Sequence, residues 1–567
     1  MADTKREIER KYEFGDSALP DLTGLPGVES VIDRGVAHLD AIYYDTADER
    51  LAAASLTLRR RTGGSDAGWH LKFPVAPGVR DEIHAPLSDT VPESLARLVR
   101  SRVRGAELTP VVRLRSDRDL RHLLDASGRL LAEISVDAVR AERLTDGGGT
   151  AQWTEIEVEL ADGGDPAFLD KVDKQLRKAG VRPSKAPSKL ARALAETAPA
   201  TGKGQDRNKA KAESKGTRTG KGKGTAKDRG TAKDTGTAKD RGTGAVTAGR
   251  SEGAAPVDAV APVAAAKQKH RSRPVGKPVT AGDHVLAYVR AQRDALVELD
   301  PAVRQDVPDS VHRMRVATRR LRSTLRSFRS VLDRETTDPI GVDLKWLAAE
   351  LGLDRDQEVL AERLLSALDE LPDALVSGPV RDRLTTWAET GHSGAHSKVT
   401  AVLDSRRYLT LLDTLDALLA DPPLRKKAAS KPSKTLAKAL RKDLGKVSGL
   451  VTRALDLPPG RERDITLHEA RKKTKRTRYA AEASVPALKA PAKDLVTSMK
   501  ELQSLLGDHQ DSVMARRTLR ELSAVAHAAG ESAFTHGLLY GREERRAEIV
   551  EATLPETWTS IGRSNGL

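Results

Sequence analysis

Between about Ala200 and Pro278 the chain repeats one short unit, GTAKDRGTAKDTGTAKDRGTG, after the related run GKGQDRNKAKAESKGTRTGKGKG. Gly, Thr, Lys and Ala with almost no large apolar side chain cannot bury enough surface to offset the entropy of ordering. Residues 199–278 are therefore expected to form a disordered linker. This stretch constrains everything else, because it divides the 567 residues into two parts that must each build their own core. It reads first as a tether, whose lysines add nonspecific attraction to a polyanion.

Lys and Arg total 96 against 81 Asp and Glu, a formal net charge of +15 that favours polyanionic partners. Cys is absent, which removes disulfides, thiolate zinc sites and Cys nucleophiles together and suits a reducing cytoplasm. The opening MADTKREIERKYEF has no apolar signal core, and no later apolar run approaches the ~18 residues of a membrane span. A soluble cytoplasmic protein with no membrane partner is expected. Aromatic residues are only 3% of the chain, so stacking platforms for bases are scarce. Phosphate backbones are favoured over bases, and nucleic acid is not expected as a specific partner.

Residues 1–198 read as strands with one ionic and one apolar face, separated by Gly, Asp and Pro turns. Glu7, Glu9 and Lys11 share a face opposite Ile8; Arg59 and Arg61 share another. His70 and Lys72 oppose Leu71, and Arg113 and Arg115 flank Leu114. Glu133, Ser135 and Asp137 oppose Ile134; Glu155, Glu157 and Glu159 oppose Ile156 and Val158. A sheet with one wet face would explain any single strand. Basic strands that alternate with acidic ones suit instead a closed antiparallel β-barrel with its ionic faces inside, able to clamp an anion and its counter-ions. Helices around Leu95–Val103 and Phe168–Leu176 would cover the apolar exterior, giving an α+β module, with Gly180 as the stop of the second. His38, His70 and His84 lack paired ligand spacing and read as incidental.

EIERKY at Glu7–Tyr12 matches the Glu-x-Glu-x-Lys signature of the CYTH superfamily, the triphosphate tunnel enzymes. YYDT from Tyr43, the Leu58–Arg61 strand, LKFP around Lys72, WTEIEVEL and the terminal SKLARAL from Ser188 follow in that family's order, so residues 1–198 resemble it throughout. The resemblance implies an eight-stranded tunnel hydrolysing inorganic triphosphate or nucleoside triphosphates with Mg2+ or Mn2+. It implies that Lys11, Arg59, Arg61, Lys72, Arg113 and Arg115 grip phosphate, with Lys189 and Arg192 closing the tunnel. Glu7, Glu9, Glu155 and Glu157 would hold metal, with Glu133, Asp137 and Glu159 as weaker candidates. Glu7, Glu9, Lys11 and Lys72 would form the catalytic set. Nothing in the strands reads an adenine or thiamine ring, so inorganic triphosphate or a polyphosphate end is the expected substrate.

Residues 279–560 carry apolar residues at three- and four-residue spacing, the period of an all-α domain, with Pro308, Pro339, Pro372 and Pro422–Pro423 as breakers. From Val311, the residues His312, Arg315, Arg319, Arg322 and Arg326 form one cationic stripe, with Arg320 beside it. The pattern recurs as His468, Arg471, Lys472, Lys475 and Arg478. Each copy precedes an acidic, Gly-containing segment read as a turn: Gly352 with Asp354, Arg355 and Asp356, then Gly507 with Asp508, His509 and Asp511. A lone charged face would be ordinary; its repetition is not. The segment HRMRVATRRLR and this repeat resemble the CHAD family, conserved-histidine helical domains of two similar four-helix halves around a basic cavity. That resemblance implies binding of long-chain polyphosphate through both stripes and association with polyphosphate granules. The histidines sit among cations, so phosphate contact suits them better than metal.

Two functions are open on this reading. One is a metal-dependent inorganic triphosphatase whose helical domain docks it on polyphosphate. The other is a non-catalytic polyphosphate scaffold. The paired glutamates favour the first, since a pure anion binder would gain by losing them.

Overall fold

A computed structural model describes residues 4–15, 19–145, 147–199, 276–392 and 394–565. The linker expected at 199–278 lies outside them from 200 to 275. Among the described residues no helix is long and apolar enough to cross a membrane.

The first module is an antiparallel barrel. Strands β1 (Thr4–Phe14), β2 (Ser30–Asp45), β3 (Thr57–Thr62), β4 (Gly68–Ala76), β5 (Val79–Ala85), β6 (Thr109–Leu124), β7 (Leu130–Arg143) and β8 (Thr150–Leu160) pair in the order β5-β4-β3-β2-β6-β7-β8-β1. The ring closes because β1 is shared: residues 4–8 pair with β5, and residues 9–14 pair with β8. A two-residue β9 (Arg182–Pro183) adds to the end of β1. Closure with a two-residue side-chain period sends every second residue inward. The apolar alternates then face outward and need cover. After the short α1 (Arg50–Ala53), α2 (Glu93–Val103) supplies it over β3–β5, where Leu95, Leu98, Val99 and Val103 bury against Leu58, Trp69, Leu71 and Ile83. Helix α3 (Ala167–Lys178) does the same for Tyr12, Ile134, Ile156 and Val158. Each such fully buried side chain contributes about 1.5–3 kcal/mol. Gly180 follows α3 at φ 86°, the left-handed stop that glycine adopts without strain. Helix α4 (Lys189–Glu196), N-capped by Ser188, lies over one end of the barrel with Leu190 and Ala193 packed among Tyr43, Leu114 and Trp153.

The second module is helical in its described residues, apart from one isolated antiparallel bridge between Leu332 and Leu424. Its α-helices are α5 (Ala281–Arg304), α6 (Ser310–Ser327), α7 (Arg334–Glu350), α8 (Leu353–Asp369), α9 (Val380–His392), α10 (Ala395–Asp404), α11 (Arg406–Ala420), α12 (Pro432–Asp456), α13 (Arg461–Leu488), α14 (Ala490–Ala528) and α15 (Phe534–Asn565). The two cationic stripes lie on α6 and α13, which pack on each other over one large core that includes Met314, Leu321, Leu325, Phe328, Leu467 and Ala470. The repeat is imperfect. The chain breaks at Gly352 between α7 and α8, whereas Gly507 lies inside the unbroken α14. GDHQD is therefore helix, not the turn expected from its Gly and Asp, because packing on α13 and α15 outweighs the local cost of one glycine of about 1 kcal/mol. Pro339 also departs from its expected place between helices: it sits within α7, near that helix's N-terminus. The side chains of Asp354, Arg355 and Asp356 lie outside the described residues.

Candidate functional site

The barrel interior holds an ionic network in two parts. At one, Lys72 on β4 donates to Glu7 Oε2 at 2.5 Å and lies 3.4 Å from Glu82 Oε1 on β5. His70 Nδ1 contacts the same Glu82 oxygen at 2.8 Å, while its Nε2 meets the Asp66 carbonyl at 2.9 Å. Arg59 reaches Tyr43 Oη at 3.4 Å and Glu82 at 3.9 Å; Arg61 pairs with Asp66. Burial, with a hydrogen bond from Glu82's side, pushes Glu7 up to about 7 despite Lys72. Glu82 takes the opposite direction because His70 and Lys72 favour its charged form. Burial lowers His70 to about 4 and Arg61 to about 9.

In the other part, Lys11 bridges Glu9 (3.0 Å) and Glu157. Arg118 on β6 grips Asp137 with Nε and Nη2 at 2.7 and 2.8 Å, and Glu157 at 3.0 Å. Arg80 Nε lies 3.6 Å from Glu9. Lys189, the first residue of α4, places its ammonium 2.9 Å from Asp137 Oδ2, 2.8 Å from Glu155 Oε1 and 2.5 Å from Glu157 Oε2. Those carboxylates hold the lysine well above its ordinary value against the burial that would lower it. The oxygens of Asp137, Glu155 and Glu157 lie within 4.8 Å of one another. A cation is thus already nested among three carboxylate oxygens, and an all-oxygen anionic donor set fits a hard divalent ion such as Mg2+ or Mn2+.

Of the residues expected here from the sequence, Glu7, Glu9, Lys11, Arg59, Arg61, Lys72, Glu155, Glu157 and Lys189 are brought together. Glu7 stands apart from the cluster around Lys189, and Asp137 takes the place beside Glu155 and Glu157. Arg113 and Arg115 are not in the tunnel: both turn outward to Asp40, Arg115 with 55% of its side chain exposed. Leu114, which they flank, is instead the buried residue beneath α4, and Ser116 and Arg118 continue that inward face. Arg192 pairs with Glu196 and lies 4.8 Å over the Trp153 ring, away from the carboxylates. Glu133 contacts His122 and Glu159 contacts Lys5. His70 is not incidental, since it holds Glu82; His38, exposed beside Asp117, is outside the network. Sequence reasoning missed Arg80, Glu82 and Arg118. The alternation in VRDEIHA would have shown the first two, and following the parity of β6 from Leu114 would have shown the third.

In the helical domain the two stripes converge. Lys475 lies among Arg471 of its own helix and Arg319 and Arg315 of α6; burial and these three cations lower it to about 7. Arg322 and Arg326 continue toward Arg476, whose Nη2 pairs with Asp443 at 2.8 Å. The Nε atoms of Arg322, Arg471 and Arg476 and Nδ1 of His468 are buried with no hydrogen-bond partner among the described residues. Buried donors without acceptors fit an absent anion. Both glycines serve this surface: a Cβ at Gly352 would lie 2.6 Å from Arg315 Cζ, and one at Gly507 would lie 3.5 Å from Arg471 Nη2. Lys472 turns outward to Glu469, His312 is exposed, and Arg320 and Arg478 form a separate cluster with Glu482 and Tyr479.

Residues 5–194 match the family described as CYTH domain, and residues 287–520 that described as CHAD domain. Proteins called uncharacterized in two strains of Mycobacterium tuberculosis are each 34% identical over 568 aligned residues, spanning 97% of this chain and 95% of theirs. Among solved structures, PptA from Streptomyces chartreusis is 22% identical with a TM-score of 0.43, covering 50% of this chain and 100% of its own. The CHAD domain from the plant Ricinus communis is 24% identical with a TM-score of 0.39, covering 50% of this chain and 92% of its own.

Proposed function

Since the chain belongs to the family that joins a CYTH domain to a CHAD domain, we propose that its barrel hydrolyses inorganic triphosphate or polyphosphate ends, and that its helical domain binds long-chain polyphosphate. The CYTH family includes triphosphatases and cyclases. The observation that carries the hydrolytic reading is Lys189 nested among Asp137, Glu155 and Glu157 in a tunnel that also holds Arg59, Arg61, Lys72, Arg80 and Arg118. An anion-binding scaffold has no use for such a carboxylate cluster.

Arg59, Arg61, Lys72, Arg80 and Arg118 grip the phosphate chain, the guanidinium groups two oxygens at a time. Asp137, Glu155 and Glu157, with Glu9 beside them, would hold the divalent ion, which supplies Lewis-acid polarisation of the phosphoryl oxygens. Lys189, 2.5–2.9 Å from Asp137, Glu155 and Glu157, would share them with the ion and offers its ammonium to the phosphate chain. Burial and the neighbouring Glu82 raise Glu7 to about 7, and its ionised form is the acceptor for the proton of the attacking water. On the helical side, Arg315, Arg319, Arg322, Arg471, Lys475 and Arg476 bind the polymer, an affinity that would draw the enzyme to polyphosphate granules.

The test is phosphate release by the full chain from tripolyphosphate, long-chain polyphosphate and ATP, with Mg2+, Mn2+ or chelator. Metal-dependent release from tripolyphosphate that Glu155→Gln with Glu157→Gln abolishes is expected. Polyphosphate binding without release under any of these conditions would leave the scaffold as the function.

A further inference from the structure

Helix α2 is partnered on two faces. Its leucines and valines bury against the barrel, and its arginines reach into the helical domain. Arg104, which ends α2, donates from Nε to Asp413 Oδ1 at 3.1 Å and from Nη2 to Asp416 Oδ2 at 2.8 Å, both on α11. Arg102 Nη1 donates to the Val297 carbonyl of α5 at 3.3 Å, and Arg100 Nη1 lies 3.7 Å from Asp404 Oδ1 at the end of α10. Arg104 keeps only 7% of its side chain exposed.

The backbone adds an independent observation. Arg104 has φ 62° and ψ −118°, a region that favours glycine, although Gly105 stands next to it in open space. A non-Gly residue there costs on the order of 1–3 kcal/mol and persists where its surroundings fix it. Two carboxylates of the other domain do so here. The complementarity is local: Asp413 and Asp416 lie on the polar side of α11, opposite Leu411, Leu412, Leu415 and Leu418, which are buried in the helical core.

We propose that the barrel and the helical domain are a fixed pair, latched by Arg104 on Asp413 and Asp416, and that the segment between them is not what holds them together. The latch does not depend on either module's chemistry. A specific protease site inserted near the middle of residues 200–275 of the full chain allows the connection to be cut after folding. The two cleaved halves are expected to co-elute on size exclusion at roughly physiological ionic strength. Asp413→Lys with Asp416→Lys, on the polar side of α11, should separate them, weakening association by a factor on the order of tens. Adding Arg104→Glu to that variant should restore co-elution, and circular dichroism of each variant reports that both halves remain folded. Separation of the parent halves, or co-elution of the aspartate variant like the parent, overturns the proposal.

Discussion

On the proposed function, Lys475 should make polyphosphate binding pH-dependent in a calculable way. Burial beside Arg471, Arg319 and Arg315 lowers its ammonium from 10.5 to about 7, and the facing carboxylate, Asp511, is itself raised by burial. His468 is lowered from 6.5 by burial and Lys472, so it is neutral above that pH and adds no step there. A polyanion on the groove would supply more countercharge than Asp511 does and return the proton to Lys475. Affinity is then full below about pH 6 and falls as pH rises through 7. For a complex that keeps the lysine charged, the loss is about twofold at pH 7 and about tenfold at pH 8. Stability slopes the other way. The folded value lies below the unfolded 10.5, so the unfolded chain binds more protons between about 7 and 10.5, and this group's contribution to stability rises with pH across that window. Opposite slopes separate linkage from simple loss of fold. Isothermal titration of long-chain polyphosphate from about pH 6 to about pH 9, in buffers of different ionisation enthalpy, measures affinity and proton uptake together. Lys475→Arg should flatten the profile, because a guanidinium stays charged throughout. A flat profile in the parent, or an unchanged slope in Lys475→Arg, refutes the reasoning.

Lys189→Met removes the cation that Asp137, Glu155 and Glu157 share and leaves Arg118 and Lys11 to balance two of the three, so the metal-free fold should lose about 3 kcal/mol. Mg2+ or Mn2+ should restore more stability to this variant than to the parent in thermal unfolding; an equal shift speaks against the shared cation position. Gly352→Ala drives a methyl into Arg315 and should weaken polyphosphate binding about tenfold, while Gly507→Ala, at ordinary contact distance, should stay within about twofold in the same titration. Arg118→Gln should lower kcat/KM for tripolyphosphate by about a hundredfold, whereas Arg113→Ser with Arg115→Ser, on the outer face, should leave it within about twofold.

The barrel was legible because strand alternation is a local property and each ionic face announces itself within a few residues. What alternation leaves open is which face turns inward when both carry something plausible. On β6 the arginines at 113 and 115 looked like tunnel residues, yet the inward face is Leu114, Ser116 and Arg118, because α4 needs apolar packing at that end. Arg80 and Glu82 were hidden for the opposite reason: β5 is short and was not read as a strand. In the helical domain the stripes on α6 and α13 followed from helical period. The turn at Gly507 did not form, since glycine and aspartate mark a turn only where tertiary packing does not hold the helix. No sequence pattern announced that α2 has a second partner, because its arginines look like any solvated face.

The tunnel wall is largely neutralised from within: Lys11, Lys72, Arg118 and Lys189 already contact Glu7, Glu9, Asp137, Glu155 and Glu157. On the proposed function, a triphosphate would therefore enter by exchange, each phosphate oxygen that captures a side-chain cation releasing a carboxylate that must find another. On that reading the tunnel should prefer the metal salt of a triphosphate to the bare anion, since a divalent ion would take up the released carboxylates. Few bulk ions are freed in that exchange, so ionic strength should touch it only lightly. The groove on α6 and α13, where cation crowds cation, sheds its counter-ions when it binds and should respond steeply. A single chain would then hold one polymer by two electrostatic regimes, and salt alone could release the polymer from the helices while the barrel kept its grip on the end.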